Sequence, residues 1–410
     1  MQPIIPVTIP RRVFQDHENR ISSVAVFHDE RRMVTGSYDK TLCLWDLKDG
    51  TMLKKIEGHH AGVQALAVSR NGKFIASGDV NGELIGWDGD SGEPLTQIIK
   101  AHNSNIITAD FSPDSAAMAT VSYDETMKLW RTDTWQIQHN INFGEAVECA
   151  RYSPSGELLA IATQKYIQIW NARASKCIAK FTAPQLHRSL AWKLDGTRLF
   201  SGGCHSNATI QEWDTLAWKE VGDPWSGHTN KITALAVNST GTLVASTSYD
   251  SNVRLWRVSD GQTIAIFHHL NDPPYYVTFS ADSKYIFSGA GPMHVSEWCV
   301  PEGAFPEGTP EEQVSDVISR CEIKLRKKQW MEALDDAQKV HLIYQFITVR
   351  TRANSDDTYQ VAILEPSSYL GYHFKYKALH GAQRYCEAIE VLHFMMSKVN
   401  NLPDPKMRSK

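Results

Sequence analysis

Seven tryptophans at near-constant spacing constrain the fold of this chain more than any other sequence feature. Successive members lie 42, 43, 40, 43, 43 and 42 residues apart, and each closes a short alternating run typical of a β-strand. The seven are Trp45, Trp87, Trp130, Trp170, Trp213, Trp256 and Trp298. A fixed period of this length is the signature of a repeat architecture, because each unit buries its apolar face against its neighbour. The sequence therefore predicts an array of similar β-rich units.

Four of the repeats contain a second regularity, in which four polar or aromatic residues follow one another at spacings of 18, 4 and 6. The four sets are His17, Thr35, Asp39 and Trp45; His59, Ser77, Asn81 and Trp87; His102, Thr120, Asp124 and Trp130; and His228, Ser246, Asp250 and Trp256. Together with Gly58-His59 at the start of a unit and Trp45-Asp46 at the end of another, this pattern resembles the WD-repeat family.

The resemblance implies a mainly β fold, a seven-bladed β-propeller over residues 1–302 with four strands in each blade. It also implies that each set of four forms a buried, hydrogen-bonded structural network. The His, Ser/Thr and Asp trio recurs in several repeats and is not confined to a single site, so it is not predicted to be catalytic. No outer strand follows Trp298, whereas residues 7–14 precede His17 where such a strand would lie. We therefore expect the N-terminal segment to close blade seven.

Three repeats depart from the pattern, and we expect their blades to be packed less tightly. Repeat four lacks the opening histidine, the hydroxyl and the acid. Repeat five carries two extra residues near Cys204-His205, and repeat seven has Gly291-Pro292 in place of the acid.

Composition argues against several classes of function. A net charge of −4 with scattered Lys and Arg predicts no generic binding to nucleic acid. The chain has no apolar run of the ~18 residues that cross a membrane and no signal-peptide pattern, so we expect a cytoplasmic or nuclear protein that is not secreted. Scattered cysteines and the absence of nucleotide-binding, hydrolase and zinc-protease motifs predict no metal, no cofactor, no small-molecule substrate and no enzyme.

The candidate partner-binding rim is formed by residues in equivalent turns and their neighbouring loops. Tyr38, Tyr123 and Tyr249 each stand just before the acid position of a repeat, and exposed tyrosines are good anchors for a partner. Arg20, Lys231 and Tyr275 lie in the neighbouring loops. An alternative interpretation is that the tyrosines only cap their turns.

These features predict a non-enzymatic scaffold or adaptor that binds proteins or peptides on the propeller rims. A substrate-recognition adaptor of a ubiquitin ligase or a chromatin complex is an alternative that differs only in its partner. A propeller enzyme with a site in the central channel is the alternative from another class.

The C-terminal quarter has a different sequence pattern from the repeats. A proline-containing linker over 303–312 precedes helix-type spacing over 313–402, followed by a tail at 403–410. Trp330 and Tyr385 each stand three residues before Ala333 and Ala388, which resembles the centre of a tetratricopeptide repeat. Removing 21 residues, 340–360, restores the 34-residue period of that repeat. We interpret the insert as a translated, in-frame unspliced intron; a natural loop or a strand pair is the alternative.

Overall fold

The computed structural model describes residues 4–304 apart from 183–186, 205–207, 270–272, 291–292 and 302–303. These residues form β-strands and no α-helix, and they contain no helix long and apolar enough to cross a membrane. The predicted tetratricopeptide-like helices, the insert at 340–360 and the tail lie outside the described residues. So do Gly291-Pro292 and His205. Expectations about these segments and the domain boundaries stay predictions.

The strands fall into seven sheets, which are antiparallel except where the first strand of the chain joins the sixth in parallel. Two N-terminal strands come first: β1 (Ile5–Val7) and β2 (Arg12–Gln15). Blade one contains β3 (Ile21–Val26), β4 (Arg32–Ser37), β5 (Leu42–Asp46) and β6 (Met52–Ile56). Blade two contains β7 (Val63–Val68), β8 (Phe74–Asp79), β9 (Glu83–Asp88) and β10 (Ile99–Lys100). Blade three contains β11 (Ile106–Phe111), β12 (Ala117–Ser122), β13 (Thr126–Arg131) and β14 (Gln136–Asn142).

The remaining blades repeat this order. Blade four contains β15 (Val147–Tyr152), β16 (Leu158–Thr163), β17 (Tyr166–Asn171) and β18 (Lys176–Thr182). Blade five contains β19 (His187–Trp192), β20 (Arg198–Gly203), β21 (Ile210–Asp214) and β22 (Lys219–Glu220). Blade six contains β23 (Ile232–Val237), β24 (Leu243–Ser248), β25 (Asn252–Arg257) and β26 (Thr263–His268). Blade seven contains β27 (Tyr276–Phe279), β28 (Tyr285–Ala290) and β29 (His294–Cys299).

The innermost strands of the blades contact one another in a closed ring. The first strand of each blade touches the first strand of the next, and β27 of blade seven touches β3 of blade one. The predicted seven-bladed propeller is therefore confirmed. The space inside the ring of innermost strands is a central channel.

Closure of the ring uses less of the N-terminal segment than predicted. β2 pairs antiparallel with β29, with Arg12 opposite Glu297 and Gln15 opposite His294, and supplies the fourth strand of blade seven. β1 instead pairs parallel with β26 and adds a fifth strand to blade six. Pro10 lies between the two strands and has no amide hydrogen to give to a ladder. The segment 7–14 is thus divided between two blades.

The core lies mainly between neighbouring blades. At the junction of blades seven and one, the Phe14 ring contacts Trp45 at 5.5 Å and Phe287 at 6.2 Å between ring centroids. Ile21, Met33 and Val295 complete this buried cluster. Each blade buries its apolar faces only because the next blade covers them, so the closing strand also completes the core.

We expect Phe14→Ala to destabilise the propeller strongly, because it removes a buried aromatic ring from the junction of the first and last blades. The expected decrease in the free energy of unfolding is about 3–5 kcal/mol, measured by urea denaturation. Ile9→Ala is the control in the same segment, because Ile9 is 80% exposed; its effect should stay within about 0.5 kcal/mol. Equal shifts in the two variants would contradict closure through β2.

Candidate functional site

Three of the four predicted sets form one continuous hydrogen-bonded network each. In blade one, the Trp45 indole N–H donates to the Thr35 hydroxyl at 2.9 Å, and that hydroxyl lies 2.8 Å from His17 Nε2. His17 Nδ1 lies 2.8 Å from Asp39 Oδ2. His102, Thr120, Asp124 and Trp130 repeat this arrangement in blade three, and His228, Ser246, Asp250 and Trp256 repeat it in blade six. A neutral histidine that carries its hydrogen on Nδ1 satisfies this order of donors.

The electrostatics of blade three agree with that protonation state. Burial lowers the pKa of His102 to about 4, against the raising effect of Asp124. Burial raises the pKa of Asp124, but hydrogen bonds from Thr126, the Asn103 amide and His102 outweigh it and lower the pKa to about 2. At neutral pH the pair is therefore a neutral imidazole that donates to a carboxylate, with every partner engaged. This arrangement supports the blade and leaves no group free for catalysis.

Blade two corrects the prediction for Asn81. His59 Nε2 lies 2.6 Å from the Ser77 hydroxyl, and Trp87 donates to that hydroxyl at 2.7 Å, as in the other blades. The acid beside His59 is Asp79, which is buried with its Oδ2 3.5 Å from His59 Nδ1. Asp79 also accepts the amide of Asn81 at 2.9 Å. The acid therefore lies two residues earlier than predicted, at the end of β8. The fixed spacing pointed to Asn81, which lies in the turn that follows.

Two of the three irregular repeats keep part of the network, and the third replaces it. In blade four, Trp170 donates to the Gln168 side chain at 3.1 Å. In blade five, Trp213 donates to the Ser201 hydroxyl at 2.7 Å despite the two extra residues. In blade seven, the Ser288 hydroxyl accepts from Trp298 at 2.8 Å and lies 2.9 Å from His269 Nε2.

The predicted rim residues, except Lys231, line one opening of the central channel. A cavity of about 530 Å³ is bordered there by side chains from all seven blades. We call this opening the tyrosine-lined mouth and define it by Arg20, Tyr38, Gln64, Asn105, Tyr123, Glu148, Arg188, Tyr249 and Tyr275. Lys231 is exposed and does not line the cavity.

Side chains of the tyrosine-lined mouth hold one another in place. The Arg20 guanidinium lies over the Tyr38 ring at 4.4 Å and over the Tyr275 ring at 4.5 Å. The Tyr275 ring also meets Tyr249 edge to face, with centroids 5.6 Å apart. The Tyr38 hydroxyl donates to the Gln64 side chain. These contacts cross from blade one to blades two and seven, so the closed ring preorganises the opening.

Besides Asn105, three mouth residues are absent from the predicted rim: Gln64, Glu148 and Arg188. Each lies at a register shift between the first and second strands of its blade, where one residue stands out of the ladder. Such a β-bulge re-aims a side chain, here into the channel opening. Gln64 stands 23 residues before Trp87, and Tyr275 stands 23 residues before Trp298. Aligning the repeats on the tryptophan would have shown Gln64 and Tyr275 in one column, but Glu148 and Arg188 stand 22 and 25 residues before Trp170 and Trp213 and fall outside it.

Glu148 and Arg188 form an ion pair inside the mouth. Glu148 Oε2 lies 3.5 Å from Arg188 Nε, and the exposed fractions of the two side chains are 4% and 37%. Burial raises the pKa of Glu148, whereas Arg188 lowers it. The net result is a raised pKa of Glu148, and its carboxylate lies close enough to Arg188 to offset part of the arginine charge within the protein.

A second charged layer lies deeper in the channel. Asp110 and Arg151 border both the mouth cavity and a second cavity of about 590 Å³ at the other end. Burial raises the pKa of Asp110 to about 6, although Arg151 lowers it. The second cavity is lined by aromatic side chains such as Phe111 and Trp192 and by Arg70. Across the described residues, no three His, Cys, Asp or Glu side chains are grouped so that they could hold a metal ion.

Two substitutions separate the roles of neighbouring residues in blade two. Asp79→Ala should lower the free energy of unfolding by about 1–3 kcal/mol, because it leaves two backbone amides without their acceptor and removes the carboxylate beside His59 Nδ1. Asn81→Ala should cost clearly less, because the hydrogen bonds of Asn81 with Asp79 and Lys100 use its backbone N–H and C=O, which the substitution keeps. The measurement is urea denaturation of both variants. A larger effect at Asn81 would restore the original prediction.

Acid should destabilise the propeller partly through His102. Its pKa is about 4 in the folded protein and 6.5 ordinarily, so the unfolded chain binds the proton first as the pH falls. The associated stability is present above pH 6.5 and is lost towards pH 4. We expect the melting temperature of the wild type to fall more steeply across this range than that of His102→Gln, which melts lower at neutral pH. Parallel pH profiles would contradict this assignment.

Four of the repeats match a known family of protein domains. The family model for the WD domain, G-beta repeat, matches residues 8–46, 50–88, 93–131 and 219–257. These four segments contain the four tryptophans whose sets the sequence analysis singled out.

Three relatives show similarity over more than half of the chain. The chain is 24% identical to the serine-threonine kinase receptor-associated protein of Gallus gallus over 62% of this chain and 71% of the relative. It is 24% identical to the transcriptional corepressor LEUNIG_HOMOLOG of Arabidopsis thaliana over 59% of this chain, but only 30% of that protein. It is 20% identical to autophagy-related protein 16 of Arabidopsis thaliana over 73% of this chain and 59% of the relative. Four repeats of the chain therefore match the WD-repeat model, and the described residues form a seven-bladed ring.

Proposed function

We propose that this chain is a non-enzymatic scaffold that binds another protein or a peptide at the tyrosine-lined mouth. The observation that carries the proposal is the convergence of four tyrosines and two arginines from five blades on one opening. Tyrosine and arginine are enriched among residues that dominate binding energy at interfaces. Tyrosine also offers a large contact area and loses little conformational freedom on binding.

The packing of the mouth supports a binding role more than a purely structural one. Tyr123 and Tyr249 are 39% and 38% exposed, so much of each ring is available to a partner. Burial of the remainder raises the pKa of both hydroxyls, which therefore stay protonated and can donate hydrogen bonds at neutral pH. A tyrosine that only capped its turn would not need to face the same opening as its counterparts in other blades.

The names of the relatives agree with a role in assembly. One is named for association with a receptor and another for transcriptional corepression. Adaptors of a ubiquitin ligase or a chromatin complex fall within this proposal and differ in the partner. An enzyme site in the channel has less support, because the acids of the channel are engaged: Glu148 pairs with Arg188 and Asp110 accepts the Tyr152 amide at 2.8 Å.

The test compares partners captured by the wild type and by the double variant Tyr123→Ala/Tyr249→Ala, using affinity purification and quantitative mass spectrometry. The double variant should lose the main partners and keep the melting temperature of the wild type, because both rings are substantially exposed. The control is Leu53→Ala/Ile178→Ala, which removes side chains 50% and 53% exposed on outer strands. Full retention of partners by the tyrosine variant, or equal loss in the control, would contradict binding at the mouth.

A further inference from the structure

We propose that the tyrosine-lined mouth accepts a single carboxylate of its partner, from an aspartate or glutamate side chain, and that Arg20 is the residue that binds it. This inference rests on the proposed function and specifies the chemical group that enters the opening.

The charges that line the mouth cavity leave one arginine uncompensated. The lining includes three arginines, Arg20, Arg151 and Arg188, and two carboxylates, Asp110 and Glu148. Arg188 pairs with Glu148, and Arg151 is coupled electrostatically to the deeper Asp110. Arg20 forms no ion pair with a carboxylate of the described residues, and its guanidinium lies against the rings of Tyr38 and Tyr275. The excess positive charge of the opening therefore resides on Arg20.

The geometry of Arg20 suits recognition of a carboxylate. Two aromatic rings at 4.4 and 4.5 Å restrict the plane of its guanidinium. The Tyr38 ring is in turn fixed by its hydrogen bond to Gln64. A guanidinium held in this way has already lost much of its rotational freedom, so a bidentate pair with a carboxylate forms at a lower entropic cost.

A carboxylate fits this charge balance better than a phosphate. A phosphorylated side chain carries a charge of about −1.5 to −2 at neutral pH and is bound best by several uncompensated cations. The mouth offers one such cation, since Arg188 is already paired. A nucleic-acid backbone requires a basic surface much longer than this opening, and the chain has a net charge of −4.

The experiment selects ligands without assuming their identity. A phage library of random peptides is screened on the full-length chain, and clones are kept when Tyr123→Ala/Tyr249→Ala abolishes their binding. We expect these clones to share an aspartate or glutamate. A synthetic peptide from the best clone is then compared with its acid-to-amide version, Glu→Gln or Asp→Asn, by fluorescence anisotropy. The acidic peptide should bind about 10-fold or more tightly, and its affinity should fall as salt is raised.

Variants of the protein assign the effect to one residue. Arg20→Gln should weaken the acidic peptide about 10-fold and leave the amide peptide nearly unchanged, so that the two changes are strongly coupled in a double-mutant cycle. Arg20→Lys keeps the charge but not the planar fork, and should restore only part of the affinity. Arg131→Gln is the matched control, because Arg131 pairs with Asp133 on the exposed surface of blade three. It should leave both affinities within about 2-fold.

The outcomes separate this inference from the proposed function. Mouth-dependent clones without a shared acid, or equal binding of the acidic and amide peptides, would overturn the carboxylate site and leave peptide binding at the mouth intact. The amide comparison uses the wild-type protein, so it decides the matter even if Arg20→Gln folds poorly. Tighter binding of the corresponding phosphoserine peptide would contradict the carboxylate assignment. Failure to select any mouth-dependent clone would refute both proposals.

Discussion

The pairing of β2 with β29 is the interaction on which the rest of the structure depends. It gives blade seven its fourth strand and places Phe14 between the cores of the first and last blades. Every blade in a ring relies on both neighbours to cover its apolar faces, so an open ring would expose two of them. Closure through a strand from the other end of the chain makes the seven units one cooperative body.

The candidate binding site lies across the same junction. Arg20 and Tyr38 belong to blade one, whereas Tyr275 belongs to blade seven, and the three side chains stack against one another. Tyr249 of blade six extends the cluster through its contact with Tyr275. The conformation of Arg20 therefore depends on closure, although this residue is far from Tyr275 in the sequence. Stability of the ring and organisation of the mouth share one structural cause.

The buried polar networks and the mouth use the same turns for different purposes. In blade one, Asp39 points inward to His17, while the adjacent Tyr38 points to the channel opening. The network fixes the backbone of the turn because its carboxylate also accepts the Glu18 amide at 2.9 Å. A buried network with all its partners present is rigid, and it therefore gives the neighbouring tyrosine a defined direction.

The sequence alone determined the period, the number of blades and the residues of three complete networks, because these features recur at fixed spacing and each copy obeys the same steric rules. It placed Tyr38, Tyr123 and Tyr249 in equivalent turns for the same reason. Only the tertiary structure showed Asp79 in the role predicted for Asn81. The two residues are separated by one position, so the spacing along the chain does not decide which of them lies beside His59. Only the tertiary structure showed that Gln64, Glu148 and Arg188 enter the mouth, because a β-bulge is a shift of register between strands and leaves the alternation of apolar residues nearly unchanged. The uncompensated charge of Arg20 was likewise decided by the fold, since ion pairing depends on distances between blades that no spacing along the chain specifies.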